Sequence, residues 1–228
     1  MSHIVTREPW ATVDINVTEH RIFVREDWQY TWTTEAGQPE WTPEEQHHFH
    51  HLVDRSIWAQ WSWRPLIRVQ RRHPDRRSPG WQLREELARS PLPVTFDVRR
   101  VSMLPHWTVT VVKRDPTKER KRAEVVFGKR TILLFSTDLI VKRARRFQGD
   151  QPYEGFKVHP HEFGHTLGYL EEEYDRESDY FEDRDSIMNV GRDLRARHVT
   201  KLCQTLQTMV PGCEFVPFIS SGMPASHL

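Results

Sequence analysis

His161, Glu162 and His165 are residues whose types and spacing indicate metal-dependent chemistry. Two histidines four positions apart on a helix project from one face about one turn apart, so both imidazoles can bind the same ion. Neutral imidazoles at this spacing suit zinc. Glu162 points away from the line that joins the two ring nitrogens, yet its carboxylate can reach a water on the ion. The pattern therefore predicts a helix with two metal ligands and one general base.

A third ligand is expected just after this helix. Gly168 lies three residues after His165, where a residue with positive φ can end the helix and turn the chain back toward the metal. Glu171 follows three residues later, and a carboxylate is an accepted third zinc ligand beside two histidines. The spacing therefore favours a site made of His161, His165 and Glu171.

Residues 161–171, HEFGHTLGYLE, resemble the metzincin signature HExxHxxGxxH/D. Downstream, residues 186–189 (SIMN) resemble the Met-turn of that clan, a tight turn whose methionine lies beneath the metal. Two elements in the right order are more specific than either alone, and the resemblance covers residues 160–191. It implies a zincin-like peptidase with a catalytic Zn2+, in which Glu162 takes the proton of the attacking water and delivers it to the leaving amine.

The chain departs from the clan's pattern at the third ligand. The clan usually has His or Asp there, and some bacterial members read GLPDEYD where this chain reads GYLEEEYD. Counting forward from His161 selects Glu171, whereas counting back from Tyr174 selects Glu172. We expect Glu171 and keep Glu172 as the alternative. The resemblance also makes Tyr174 a candidate catalytic donor to the tetrahedral oxyanion; the alternative is a tyrosine that only packs the loop.

The N-terminal part of the chain predicts strands followed by a helix. Apolar residues alternate through residues 13–17 and resume at 22–24, which indicates a hairpin. Thr42 is an N-cap candidate for a helix with Pro43 at its first position. A shorter helix is expected near residues 81–90.

The remaining elements complete an α+β fold. A closing helix has an apolar face that starts at Val199 and stops at Pro211 and Gly212. Three strand-like segments precede the metal motif, at residues 94–101, 107–114 and 124–137, and the last is either one strand or two strands joined at Gly128 and Lys129. We expect one zincin-like domain over residues 1–228 with a twisted mixed sheet, a helix A, an active-site helix and a C-terminal helix. Its parts are an N-terminal hairpin (1–40), a helix and sheet subdomain (41–158), and the zinc-binding helix, Met-turn and C-terminal helix (159–228).

Composition limits the class of protein. No run of eighteen apolar residues exists, so we expect no membrane span. Residues 64–146 hold 22 Lys/Arg against 8 Asp/Glu, whereas residues 154–185 hold 11 acidic against 3 basic residues. The acidic block coincides with the metal motif, where negative potential attracts a cation. The basic stretch carries no recognised nucleic-acid motif, so we do not expect nucleic acid as a partner. Cys203 and Cys213 are expected to be ordinary thiols, with a disulfide as the alternative.

These observations favour a zinc-dependent metalloendopeptidase with a protein or peptide substrate. The motif is similar to that of bacterial toxin-associated metallopeptidases, so one hypothesis is an effector with an immunity protein or a secretion machine as partner. The N-terminus, MSHIVTREPW, lacks the apolar core of a signal peptide. We therefore expect a chain that is cytoplasmic in its producer or exported by a specialised secretion system. The alternative function is a zinc-stabilised, non-catalytic binding module that uses its basic, aromatic surface.

Overall fold

The computed structural model describes residues 2–71, 80–118, 121–139, 157–168 and 170–220. These residues form nine strands: β1 (His3–Arg7), β2 (Thr12–Asn16), β3 (Arg21–Thr34), β4 (Pro65–Arg71), β5 (Leu92–Arg100), β6 (Trp107–Lys113), β7 (Glu124–Val126), β8 (Thr131–Phe135) and β9 (Cys213–Ile219). They also form four α-helices: α1 (Pro43–Trp61), α2 (Trp81–Leu87), α3 (Val158–Thr166) and α4 (Thr200–Met209). Parts of the basic stretch at 64–146 lie outside the described residues, as does Tyr169 of the metal motif.

The strands form one mixed sheet in the order β7-β8-β6-β3-β5-β4-β9. The parallel pairs are β3–β5, β3–β6 and β6–β8, and the antiparallel pairs are β7–β8, β4–β5 and β4–β9. The β1–β2 hairpin pairs with the first half of β3, and β6 pairs with its second half. The predicted mixed sheet is thus confirmed, and β7 ends it on one side of the described structure.

Local sequence signals explain several of these elements. The predicted hairpin is confirmed, since Val13 pairs with Val24 and Ile15 with Ile22, and all four side chains are fully buried. Helix α1 begins with a capping box, in which the Thr42 side chain accepts from the backbone N–H of Glu45 and the Glu45 carboxylate accepts from that of Thr42. The predicted N-cap and first-position proline are therefore confirmed.

Helix α1 supports the helix that carries the metal motif. Its buried residues recur every four positions, as expected of a helix that faces a core: Phe49, Val53, Ile57 and Trp61. Trp61 packs against Phe163 of α3 with ring centroids 5.7 Å apart, and its Nε1 donates to the carbonyl of Pro160 at 2.8 Å. The indole therefore fixes α3 by both packing and a buried hydrogen bond.

Three strands were not predicted from the sequence: β1, β4 and β9. Strand β9 carries Pro217 and ends the described sheet on the side opposite β7, a position at which proline is tolerated. Helix α4 stops before Pro211, as predicted, and Cys203 and Cys213 are both buried free thiols. Among the described residues, no helix is long and apolar enough to cross a membrane.

Candidate metal centre

Helix α3 is a short helix held by its surroundings. All nine of its residues are buried, and its N-cap, Lys157, makes no side-chain capping bond. Its first turn therefore depends on tertiary contacts, such as the Trp61 indole bond to Pro160. After the helix, Gly168 has a φ of +142°, and a Cβ there would lie 2.3 Å from Cβ of Lys201. The predicted positive-φ turn is confirmed, and only glycine fits it.

Both histidines of the motif are oriented by backbone carbonyls. His161 Nδ1 lies 2.6 Å from the carbonyl oxygen of Ile187, and His165 Nδ1 bonds the carbonyl oxygen of Leu170. A carbonyl oxygen can only accept, so each Nδ1 carries the hydrogen. Each Nε2 is therefore left with its lone pair, the state that a metal ligand requires.

Glu172 closes the site. Its Oε2 lies 3.0 Å from His161 Nε2, and its Oε1 lies 3.3 Å from His165 Nε2. One ligand atom from each of the three residues lies within 4.8 Å of the others. Two imidazoles that donate from Nδ1 have no hydrogen left for this carboxylate, so a proton or a metal cation must occupy the space between them. A tetrahedral zinc with bonds of about 2.0–2.1 Å separates its ligand atoms by about 3.3 Å, so this donor set fits zinc.

The contact between His161 and Glu172 favours the charged form of both side chains. Burial alone would lower the pKa of His161, but the Glu172 hydrogen bond and the charges of Glu162 and Glu172 outweigh burial and leave that pKa raised. Burial would raise the pKa of Glu172, yet its contacts with His161 and His165 bring it well below its ordinary value. The pocket thus stabilises positive charge at the point where the three side chains meet.

The expectation of Glu171 as third ligand does not match this arrangement. Glu171 is exposed and lies on the rim of the cleft, whereas Glu172 meets the histidines. The loop is anchored on both sides of Glu172: the carbonyl of Leu170 bonds His165, and the N–H of Glu173 donates to the carbonyl of Met188 at 2.9 Å. These two anchors turn the side chain of Glu172 inward. The residue beside the histidines is thus the alternative, Glu172, which was reached by counting back from Tyr174.

Glu162 is a buried carboxylate beside the donor set. It is 5 % exposed, and its side chain lines a cleft of about 990 Å³ together with His165 and Glu172. Burial is the main cause that raises its pKa, and the nearby histidines partly offset it. A buried carboxylate with a raised pKa is a better proton acceptor than one in water.

Tyr174 lies beside the donor set. Its ring stacks on the His161 ring at 6.3 Å with an interplanar angle of 18°. The guanidinium of Arg122 lies 5.1 Å from the centroid of the Tyr174 ring and also pairs with Glu172. Sequence reasoning missed Arg122, because it is one of many basic residues before β7 and nothing in their spacing singles it out.

Met188 packs against helix α3. It is fully buried, and a Cβ on Gly164 would lie 2.3 Å from its sulfur. The turn that carries it is tight: the carbonyl of Ser186 accepts from Asn189 and Gly191 at 3.0 and 3.1 Å. The predicted turn is present, and its methionine contacts α3 at a residue between the two histidines.

An ion-pair network holds the loop that follows helix α3. Arg197 donates to both carboxylate oxygens of Glu173 at 2.7 and 2.8 Å and to Asp183 at 2.7 Å. Arg195 forms a second two-point contact with Asp183, at 2.7 and 2.8 Å. Although burial opposes it, the bonds from His198 and Arg197 lower the pKa of Glu173 to about 2. The residue next to Glu172 is thereby fixed in place.

No protein-family model matches the chain, and neither does a curated protein sequence or a solved structure. The interpretation of the site therefore rests on its own geometry and chemistry.

Proposed function

We propose that the protein is a zinc-dependent metallopeptidase of zincin-like fold, with His161, His165 and Glu172 as ligands and Glu162 as general base. The convergence of two Nε2 lone pairs and one carboxylate beside a buried glutamate supports this proposal most strongly. The cleft supports it further, because a substrate can reach Glu162 and His165 from the same cavity.

Each side chain has one task in this mechanism. When bound, zinc acts as a Lewis acid and lowers the pKa of water toward 7. Glu162 accepts the proton of the attacking water and transfers it to the leaving amine. The carbonyls of Ile187 and Leu170 keep both imidazoles in the tautomer whose Nε2 faces the donor set. Arg122 and Tyr174 are candidates to stabilise negative charge on the carbonyl oxygen.

The wall of the cleft suits an extended peptide. Strand β7 lies along it and, within the described sheet, pairs only with β8. Its other edge offers backbone donors and acceptors, and an extended chain can add to such an edge as a further strand. This geometry favours cleavage within a polypeptide over cleavage of a small amide.

Zinc content and hydrolysis together test the proposal. We expect about one zinc per chain by elemental analysis in the wild type and in Glu162→Gln, with loss in Glu172→Ala. Glu171→Ala is the matched control and should retain zinc. Casein hydrolysis should require Glu162 and zinc. Loss of zinc from Glu171→Ala but not from Glu172→Ala would refute the ligand set. Zinc without any hydrolysis would instead favour the non-catalytic binding module.

A further inference from the structure

The walls of the cleft carry an excess of carboxylates beyond the metal donor set. Besides Glu162 and the donor set, four further acidic residues line it, together with two arginines. The acidic ones are Glu124, Glu171, Asp175 and Glu177, and all four are exposed. Arg122 already pairs with Glu172, which leaves Arg176 as the counter-charge on this surface. The lining therefore has a net negative charge at neutral pH.

These carboxylates are available to a ligand. None of the four forms an ion pair with another residue in the part of the chain that the structure describes. They stand on two different elements: Glu124 is on the edge strand β7, and the other three are on residues 170–178. A chain that runs between β7 and this segment would therefore meet negative charge on both sides.

A second observation points to a ligand in the same cavity. Glu162 is 5 % exposed, lines the cleft, and makes no hydrogen bond with the described residues. A carboxylate that is this deeply buried normally has a hydrogen-bond partner, so one is expected from what enters the cleft. Low-dielectric walls also focus the field of the rim carboxylates along the cavity and raise the local concentration of cations.

We propose that the cleft selects peptide segments rich in Lys and Arg, with Glu124, Glu171, Asp175 and Glu177 as its specificity-determining residues. This inference rests on the proposed function, because the cleft is the one that holds Glu162 and the donor set. Glu171 thus has a role in substrate selection instead of metal binding. Exposed ion pairs are individually weak, so selectivity arises from several of them acting along one bound segment.

The test separates binding from hydrolysis. Zinc-loaded Glu162→Gln is titrated against three fluorescein-labelled peptides of matched sequence, carrying three Lys, three Gln or three Glu, and anisotropy gives each Kd. We expect the lysine peptide to bind at least about fivefold more tightly than the glutamine peptide, and the difference to shrink as salt rises. The glutamate peptide should bind most weakly.

Two double variants that remove the same number of negative charges show which carboxylates cause the preference for lysine. Glu171→Gln with Glu177→Gln should lower the Lys-to-Gln preference by about twofold or more, the effect expected for two exposed pairs. Asp179→Asn with Glu182→Gln removes the same charge from two exposed residues of the acidic block that do not line the cleft, and should leave the preference unchanged.

Equal loss of preference in both variants would overturn the assignment, because the preference would then come from the overall negative charge of this region and not from the carboxylates of the cleft. Equal Kd values for the three peptides, tighter binding of the glutamate peptide, or no binding of any peptide would overturn it as well. The wild type is then tested for cleavage of the lysine peptide. Selective binding without cleavage would contradict the proposed function and leave the inference about the cleft intact.

Discussion

Glu26 on β3 should be an uncharged carboxylic acid, and its replacement by glutamine should stabilise the protein increasingly as pH rises. The side chain is fully buried, and Trp28 Nε1 donates to its Oε2 at 2.8 Å. Thr166 is the last residue of α3, and its Oγ lies 2.6 Å from both Glu26 Oε1 and the carbonyl oxygen of Phe163. The one hydroxyl hydrogen can serve only one of these oxygens. Since the Phe163 carbonyl can only accept, a protonated Glu26 supplies the missing hydrogen and satisfies every bond.

The magnitude follows from the pKa of this carboxyl. Burial raises the pKa of Glu26 from 4.5 to about 8, although the bonds from Thr166 and Trp28 partly oppose the rise. Below pH 4.5 both the folded and the unfolded chain hold the proton, and this group's stabilising contribution is complete. Between pH 4.5 and 8 only the folded chain holds it, so the folding equilibrium constant falls about tenfold per pH unit. The loss reaches about 3 kcal/mol at pH 7 and about 5 kcal/mol above pH 8.

Urea unfolding followed by tryptophan fluorescence from pH 5 to 9 measures the effect. The amide of Glu26→Gln can donate to Thr166 and accept from Trp28, yet it does not titrate. The difference in unfolding free energy between this variant and the wild type should be small at pH 5 and grow to several kcal/mol by pH 8. Glu124→Gln, an exposed control, should differ from the wild type by a constant amount. Parallel curves for Glu26→Gln and the wild type would refute a neutral Glu26.

Three further substitutions test the parts that support the site. Gly164→Ala should destabilise the protein by about 1–3 kcal/mol in urea unfolding, because its Cβ would overlap the buried sulfur of Met188, and Met188→Ala should remove that penalty. Arg197→Ala should destabilise by about 2 kcal/mol and weaken zinc retention in a chelator competition, since it removes both guanidinium bonds of the buried Glu173 and leaves it only His198 as an ion-pair partner, and Arg197→Lys should partly restore both. Tyr174→Phe should lower kcat at least about tenfold with zinc content unchanged; an unchanged kcat would restrict Tyr174 to its stacking on His161.

The features predicted from the sequence are those fixed by contacts between near neighbours in the chain. The Thr42 capping box spans four residues, and the alternation that defines the β2–β3 hairpin needs only a short turn between two apolar runs. The pair His161 and His165 is likewise local, because one helical turn sets their relation. Such patterns are visible in one stretch of sequence, and the structure reproduces each of them.

The role of Glu26 could not be predicted in this way. It lies in an alternating strand beside other charged residues, where a glutamate normally faces solvent. Its burial follows from its position in the sheet, beneath the end of a helix that begins more than a hundred residues later. Strands β4 and β9 escaped prediction for a related reason: they pair with each other along their whole length although they lie far apart in the chain, and this long-range pairing supplies the order that the local sequence does not.

The run Glu171-Glu172-Glu173 shows why the sequence left two candidates for the third ligand. Three identical side chains in succession have three environments: the first faces the cleft, the second meets both motif histidines, and the third pairs with Arg197. Nothing within the run distinguishes them. Two contacts decide which glutamate faces the histidines. The Leu170 carbonyl bonds His165 before the run, and Glu173 pairs with Arg197, which lies 24 residues further along the chain. Long-range contacts therefore decide which glutamate meets the histidines, and shifting the run by one residue would exchange the positions of carboxylates that are chemically the same.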